Sequence, residues 1–229
     1  GIGGDKDEEE SLEPAKLVSF TPELEIDRDW KVKVGEGFGK KYLRINPGVV
    51  ADRIIVADGY GLVVAVDRFT GKRIWQTQFD KAAGKGFGLS ALLDRNDPSF
   101  VSGGIGIGEG LALLGTTKGD VVALSVADGR EMWRSNVGTE IGSVPTADAG
   151  RVFAQSIDGK LTALDSETGE ELWTYNSQVP RLTLRGTSSP VVANDVVYTG
   201  FASGKVTALR AENGEPIWEQ RVMLPEGRS

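Results

Sequence analysis

The chain has 229 residues, a formal net charge of −7 and an apolar fraction of 39%, with 31 Gly but neither Cys nor His. Without Cys and His, it lacks the usual ligands of a structural zinc site and the side chains on which most nucleophilic and acid–base catalysis depends. The acidic balance argues against a nucleic-acid-binding surface, which needs clustered Lys and Arg. No apolar run reaches the length of a transmembrane helix, and no signal peptide opens the sequence.

Residues 1–22 begin with glycines and contain a cluster of five acidic residues between positions 5 and 10. This segment carries too little apolar surface to offset the entropy lost on ordering, so we predict a flexible acidic tether. An acidic interaction motif is the alternative, but charge runs at chain termini are usually just solvated.

The next segment alternates apolar and other residues at Leu24, Ile26, Trp30, Val32 and Val34. A two-residue period is typical of a strand, so we predict a single strand around Trp30. No hairpin precedes this Trp, so its strand must pair with some other part of the fold.

A 15-residue unit that begins with Gly and ends with Trp then occurs four times. Each copy has Ala four residues after the first Gly, a second Gly ten residues after it, and an apolar residue before the Trp. The copies are Gly61–Trp75, Gly119–Trp133, Gly159–Trp173 and Gly204–Trp218. The alternative, that each Trp is an unrelated core aromatic, leaves the fixed spacing unexplained.

The third copy shows the predicted local structure. Leu161, Ala163 and, less strictly, Leu164 follow the two-residue period of a half-buried strand. The segment Asp165–Gly169 supplies a turn, because Asp can accept hydrogen bonds from following amides and Gly can adopt a positive φ. With a second strand at Glu170–Tyr175, the unit is a β-hairpin that forms the last two strands of a four-stranded sheet.

The distances between successive Trp residues are 45, 58, 40 and 45 residues, starting from Trp30. A period of about 40–45 residues is that of a four-stranded propeller blade. We therefore predict an all-β protein, a β-propeller of four-stranded antiparallel blades over residues 23–229. The blades are expected at about 45–79, 103–137, 143–177 and 187–222, and the Trp30 strand would complete the last blade of a closed ring.

The 58-residue spacing contains an insertion, Asp80–Ser102, which we predict to be a loop with a helical turn at Leu89–Leu93. Its Gly84–Gly88 segment lacks the spacing and the strand–helix context of a phosphate-binding loop. The glycine-rich segment Gly103–Gly108 is predicted to be the inner strand of blade two, where small residues let strands crowd near the axis. Pro145 and Pro190 are placed at the starts of the inner strands of blades three and four.

The connection Val179–Gly186 carries Leu182, Leu184 and Arg185 between blades three and four. Apolar side chains on a connection either pack beneath the propeller or face a partner. An Arg beside two Leu is also a common composition of binding hot spots, so both interpretations stay open at this point.

The pattern A-x-D-x-x-T-G-x-x-x-W at Ala65–Trp75 and Ala163–Trp173 resembles the tryptophan-docking repeat of quinoprotein-type eight-bladed propellers. Blades two and four depart from it at the Asp and Thr positions. The acidic N-terminus, leading Trp strand, insertion after blade one and L-x-L-R-G loop together resemble the BamB family, lipoprotein scaffolds of the outer-membrane β-barrel assembly machinery of Gram-negative bacteria. The resemblance implies that four blades here are half of an eight-bladed ring.

The resemblance also implies a non-catalytic role, with no cofactor, no metal and no catalytic residue. In that family the L-x-L-R loop contacts the periplasmic POTRA domains of BamA, so the implied contact residues are Leu182, Leu184 and Arg185. Nascent outer-membrane proteins are further implied partners. The implied location is the periplasmic side of the outer membrane, held by a lipid on an N-terminal Cys that this chain lacks. The structural repeat residues are Trp30, Trp75, Trp133, Trp173 and Trp218.

Two other functions share the repeat. A quinone-cofactor dehydrogenase would hold Ca²⁺ with carboxylate and amide oxygens around the central funnel, often beside a vicinal disulfide. The chain has no Cys, and no convergent set of Glu, Asn and Asp is evident on its predicted inner strands. A generic propeller adaptor is the second alternative.

Overall fold

The structure is a computed structural model that describes residues 29–34, 46–78, 101–177, 188–201 and 203–222. These residues form sixteen β-strands and no helix. The strands make four separate antiparallel sheets of four, each with consecutive strands as neighbours. The all-β fold with four-stranded antiparallel blades is therefore confirmed. The predicted tether at 1–22 and the helical turn at Leu89–Leu93 lie outside the described residues.

Blade one contains β1 (Gly48–Val50), β2 (Arg53–Ala57), β3 (Leu62–Asp67) and β4 (Arg73–Gln78). Blade two contains β5 (Val101–Gly108), β6 (Leu111–Thr116), β7 (Asp120–Ser125) and β8 (Glu131–Asn136). Blade three contains β9 (Thr146–Asp148), β10 (Arg151–Gln155), β11 (Lys160–Asp165) and β12 (Glu171–Asn176). Blade four contains β13 (Val191–Ala193), β14 (Val196–Gly200), β15 (Lys205–Arg210) and β16 (Pro216–Arg221).

The strand register places the repeat Trp in the same row of every blade. The Trp of the fourth strand pairs with the repeat Ala of the third, which pairs with a large apolar residue of the second. Directly paired residues point to the same face of a sheet, so each row forms one continuous surface. We call these the docking rows: Ile55–Ala65–Trp75, Leu113–Ala123–Trp133, Phe153–Ala163–Trp173 and Tyr198–Ala208–Trp218.

The hydrophobic core lies between blades. The docking row of blade one packs with Ala112, Leu114, Val122 and Leu124 of blade two, and the row of blade two packs in the same way against blade three. A third cluster joins the row of blade three to blade four. Each of these interfaces combines the docking-row face of one blade with the opposite face of the next.

This packing corrects the expectation of a half-buried strand in the repeat. In β11 the four residues from Leu161 to Leu164 are all buried, so both faces of the strand are covered. The same holds for the central residues of β3 and β7. For β7 and β11 the reason is that blades two and three each have a neighbouring blade on both sides, which a two-residue alternation within one hairpin does not reveal.

The glycine-rich strand β5 crosses close to the start of blade three. A Cβ atom on Gly106 would overlap the carbonyl oxygen of Pro145, and one on Gly104 would lie 3.0 Å from a methyl of Val144. Small residues in this strand therefore allow close approach of the two blades, as predicted. Pro145 lies directly before β9 and Pro190 directly before β13, where a missing amide removes no ladder bond.

Candidate interaction site

The three predicted contact residues, Leu182, Leu184 and Arg185, lie outside the described residues. The described chain ends at Ser177, directly after β12, and resumes at Ser188, three residues before β13. Directly after the gap, the hydroxyl of Ser188 accepts a hydrogen bond from the amide of Gly200 at 2.9 Å, which holds the chain against β14. The role of the three residues stays a prediction.

The repeat Trp residues form a regular set of contacts between blades. In the first three blades the indole N–H of the repeat Trp donates to a backbone carbonyl in the hairpin turn of the following blade. The bonds run from Trp75 to Val126 (2.9 Å), from Trp133 to Ser166 (2.8 Å) and from Trp173 to Ala211 (3.0 Å). The large apolar ring is thus removed from water without leaving its one donor unsatisfied.

The second repeat Gly forms the floor of each contact. Gly169 has φ of 76°, and a Cβ atom there would lie only 2.7 Å from ring atoms of Trp133. Gly129 and Gly214 hold the same position beneath Trp75 and Trp173. This Gly is required twice, for the positive φ of the turn and for space under the indole. We call the acceptor carbonyl and this Gly together a docking slot.

Trp30 occupies the docking slot of blade one. Its indole N–H donates to the carbonyl of Arg68 at 3.1 Å, and a Cβ atom on Gly71 would lie 2.7 Å from its ring. Residues 29–34 are not assigned to a strand, which differs from the sequence-based expectation. The indole therefore makes the contact of a repeat Trp although its backbone makes no ladder with another described strand.

Trp218 differs from the other repeat Trp residues. Trp218 is 45% exposed, whereas Trp133 is 7% exposed. Its ring contacts Tyr198 of its own docking row, with centroids 6.2 Å apart and a tilted geometry. Within the described part of the chain no carbonyl accepts its indole N–H, because β16 is the last described strand.

The Asp of the repeat caps the turn between the third and fourth strands. Asp165 accepts hydrogen bonds from the amides of Glu167 and Thr168 at 2.9 and 2.8 Å, and Asp67 does the same in blade one. Bonds from Thr168 and Glu167 hold the pKa of Asp165 below its ordinary value. The pKa of Asp67 is also lowered, mainly by the hydroxyl and amide of Thr70.

A polar cluster between blades three and four was not predicted from the sequence. Lys205 forms an ion pair with Glu219 at 2.6 Å, and the hydroxyl of Tyr175 donates to the same carboxylate. The hydrogen bond with Glu219 raises the pKa of Lys205, and the bond from Lys205 lowers the pKa of Glu219. The equivalents of Tyr175 in blades one and two are Thr77 and Ser135, whose hydroxyls donate to the slot glycines instead.

No group of three or more acidic side chains is arranged to hold a metal ion within the ranges that the structure describes. No helix of those ranges has the length and apolarity needed to cross a membrane.

Comparison with known proteins gives consistent matches. A family model described as outer membrane protein assembly factor BamB matches residues 27–89 and 84–229. The proteins of that name from Xanthomonas campestris pv. campestris and Pseudomonas aeruginosa are each 38% identical to this chain. The matches cover 99% and 100% of the chain but 54% and 55% of those relatives. The chain thus spans about half the length of the curated relatives it matches.

Solved structures agree with this. BamB from Moraxella catarrhalis is 25% identical, with a TM-score of 0.65 over 80% of this chain and 50% of that one. A quinohemoprotein alcohol dehydrogenase from Comamonas testosteroni matches with a TM-score of 0.58 at 21% identity, over 78% of this chain and 35% of its own, and shows the fold alone. From the family match across residues 27–229, the chain belongs to the family of the outer membrane protein assembly factor BamB.

Proposed function

We propose that this chain acts as a non-catalytic scaffold in the assembly of outer-membrane β-barrel proteins. The observation that carries the proposal is the match of one family model to residues 27–229, together with interfaces in which the repeat Trp serves packing. The proposed location is the periplasmic side of the outer membrane, with a lipid anchor in the native protein. Nascent outer-membrane proteins are the proposed clients.

We propose the POTRA domains of BamA as the direct partner, bound by Leu182, Leu184 and Arg185. Leu182 and Leu184 are two residues apart, so in an extended segment both side chains point the same way. Arg185 can then reach an acidic group or a backbone carbonyl beside them. In the sequence the segment lies between blade three and Ser188, whose hydroxyl accepts a hydrogen bond from the amide of Gly200 in β14.

The test is the simultaneous replacement of Leu182, Leu184 and Arg185 by Ala. Truncation of a buried interface anchor typically costs about 30- to 1000-fold in affinity. We expect loss of binding to the purified POTRA domains, measured by calorimetry, with the thermal midpoint of the variant nearly unchanged. Leu172→Ala is the matched control, since this exposed Leu lies on β12 outside the loop.

Two results would contradict the proposal. Binding that persists in the triple variant means that the loop is not the contact. A strong fall in the thermal midpoint means that the two Leu side chains pack beneath the propeller, as the sequence alone also allows.

The quinone-dependent dehydrogenase is tested separately. The similarity to two quinohemoprotein alcohol dehydrogenases is at the level of fold, at 21% and 16% identity. Addition of the quinone with Ca²⁺ is expected to give no stoichiometric bound chromophore in the absorbance spectrum. A bound chromophore at one equivalent would favour the enzyme, and absence of both chromophore and POTRA binding would favour a generic adaptor.

A further inference from the structure

The fourth strand of every blade is an edge strand. Among the strands that the structure describes, β4, β8, β12 and β16 each pair only with the third strand of their own blade. An edge strand presents a row of unpaired backbone N–H and C=O groups, which another extended segment can join by strand addition. Contacts between blades use the faces of the sheets and leave these edges open. We call the four edges together the rim.

Each rim strand contains a one-residue irregularity at the same position. In blade three the ladder passes from the pair Ala163–Trp173 to the pair Leu164–Glu171, so Leu172 has no partner in β11. The same shift occurs in the other three blades. The apolar residue before the Trp is therefore the extra residue of a β-bulge in every copy of the repeat. These residues are Ile74, Met132, Leu172 and Ile217.

The pairing of the hairpin does not require the extra residue. Adjacent pairs of a regular antiparallel ladder differ by one residue on each strand. Across the bulge the third strand advances by one residue and the fourth strand by two. Without Leu172, the pairs on both sides of it would stay the same and the ladder would become regular. The bulge thus recurs although the register of the repeat Trp does not depend on it.

The extra residue is apolar in all four blades although it is partly exposed. Ile74, Met132 and Leu172 are 41%, 45% and 47% exposed. The residue before each of them in the sequence is charged, so apolar character is not general to this part of the strand. Since more than half of each residue is covered, its burial favours a bulge that lies against the protein over one that projects into water.

A bulge in an edge strand hinders strand addition. It bends the strand, increases its twist and interrupts the regular row of backbone groups with which a new strand would pair. In β12 the uninterrupted part of the edge runs from Trp173 to Asn176, which is four residues. A strand of a membrane β-barrel has about 9–11 residues, so most of its backbone groups would find no regular partner at this edge.

We propose that the bulges close the rim to strand addition, so that the propeller can work among unpaired β-strands without pairing with them. The need for closure rests on the proposed clients, since β-barrel proteins consist of antiparallel strands that pair edge to edge. A client would then be recognised at the rim by side chains or elsewhere on the molecule. Whether the edge is closed does not depend on the proposed function, and the experiment measures the edge alone.

The experiment restores a regular edge by deletion of Leu172. The probe is a fluorescein-labelled synthetic peptide of about ten residues in which Thr and Val alternate between terminal Lys residues. By fluorescence anisotropy we expect the deletion variant to bind the peptide at least about tenfold more tightly than the unaltered chain does. Amide hydrogen exchange locates the bound peptide, because strand addition should raise the protection of β12 in the deletion variant only.

Leu172→Ala is the matched control, since it removes most of the apolar side chain but keeps the extra residue. A slip into a regular register would turn the later side chains of β12 to the opposite face, so the bulge should persist. No gain in peptide binding is therefore expected. Deletion of Met132 repeats the test in blade two, and circular dichroism of both deletion variants should show the strand content of the unaltered chain.

Four results would each overturn the proposal. The first is peptide-dependent protection of β8 or β12 in the unaltered chain, which would show an open edge. The second is a folded deletion variant that gains no binding. The third is an equal gain in Leu172→Ala and in the deletion variant, which would assign the effect to the side chain. The fourth is unfolding of both deletion variants, which would show that the bulge serves the fold rather than the edge.

Discussion

At the scale of the residue, Trp suits the end of the repeat because one side chain supplies both a large apolar ring and one hydrogen-bond donor. Trp133 uses both, since the ring is buried and its N–H donates to the carbonyl of Ser166. Phe would fill most of the space but would leave that carbonyl without its partner. The indole therefore specifies where the next hairpin must lie as well as adding buried area.

Trp133→Ala should destabilise the chain far more than Trp218→Ala. Truncation of a buried Trp costs about 3–5 kcal/mol, large against a typical total stability of about 5–15 kcal/mol. Trp218 is 45% exposed, so its truncation should lower the free energy of unfolding by less. Urea unfolding gives both free energies. Equal, unchanged midpoints in the two variants would refute the docking role of Trp133.

Gly169→Ala should cost more than Gly150→Ala, although the two glycines have nearly the same φ, 76° and 78°. Both substitutions place a Cβ in the left-handed region, which costs about 1 kcal/mol. Only at Gly169 does the new atom also meet the ring of Trp133, while Gly150 has open space. The difference between the two unfolding free energies measures the contact under the indole. Equal losses would show that the ring moves away freely.

The turn carboxylates predict a dependence of stability on pH. The folded pKa of Asp165 lies below its ordinary value of 3.8, so its contribution is complete above that pH and is lost as the pH falls through the lowered folded pKa. The advantage of the wild type over Asp165→Ala should therefore be constant near neutral pH and shrink in acid. Glu167→Ala is the control, since it removes the same charge from the same turn without removing the acceptor. A constant advantage down to pH about 2 would contradict the assignment.

These residue roles could be predicted because the positions of Gly, Asp and Trp are fixed by local turn geometry that recurs at a constant spacing. The cluster of Tyr175, Lys205 and Glu219 has no such signal. Its members come from two blades, and the equivalents of Tyr175 and Glu219 in the other repeats differ in chemical type. Internal repeats in one sequence reveal only those contacts whose residues recur at the same position of every repeat.

Among the secondary-structure elements, the hairpin of the repeat was predicted correctly, but the burial of its first strand on both faces was not. The third strand of each blade alternates too weakly between apolar and polar residues to be buried on one face only. In β3 the run from Val63 to Val66 is apolar throughout. A continuous apolar strand indicates burial on both faces. The Trp30 segment shows the opposite case. Its alternation predicted a strand, but residues 29–34 are not assigned to one, and the Trp30 side chain alone makes the contact with blade one.

The ion pair between β15 and β16 should add little to stability. Lys205 and Glu219 are 24% and 39% exposed in their side chains, and pairs in such positions typically contribute less than about 1 kcal/mol. Glu219→Gln should therefore lower the unfolding free energy by no more than this amount, and salt should reduce the difference further. A double-mutant cycle with Tyr175→Phe isolates the hydroxyl. A loss comparable to that of Trp173→Ala would show that the cluster contributes as much as the Trp173 indole to the contact between blades three and four.

At the scale of the whole molecule, the fold follows from the count of repeats, because a blade buries its two faces only against other blades. An interior blade such as blade two is covered on both sides, as the fully buried pattern of β6 shows. In blade four only one face is covered by another described blade, since Tyr198 of β14 is 36% exposed whereas Phe153 at the same row position of blade three is 0% exposed. The sequence could predict the number of blades, but it could not show which of their faces remain open, since all four copies look alike.

This asymmetry predicts unequal local stability along the chain. In a linear array each unit is stabilised by its own folding and by its contacts with neighbours, so a terminal unit with one neighbour opens more easily than an interior unit with two. Amide hydrogen exchange should therefore be faster in β14 and β15 than in β6 and β7, although all four are central strands of their sheets. Exchange at one common rate in both blades would mean that the described blades open as a single unit.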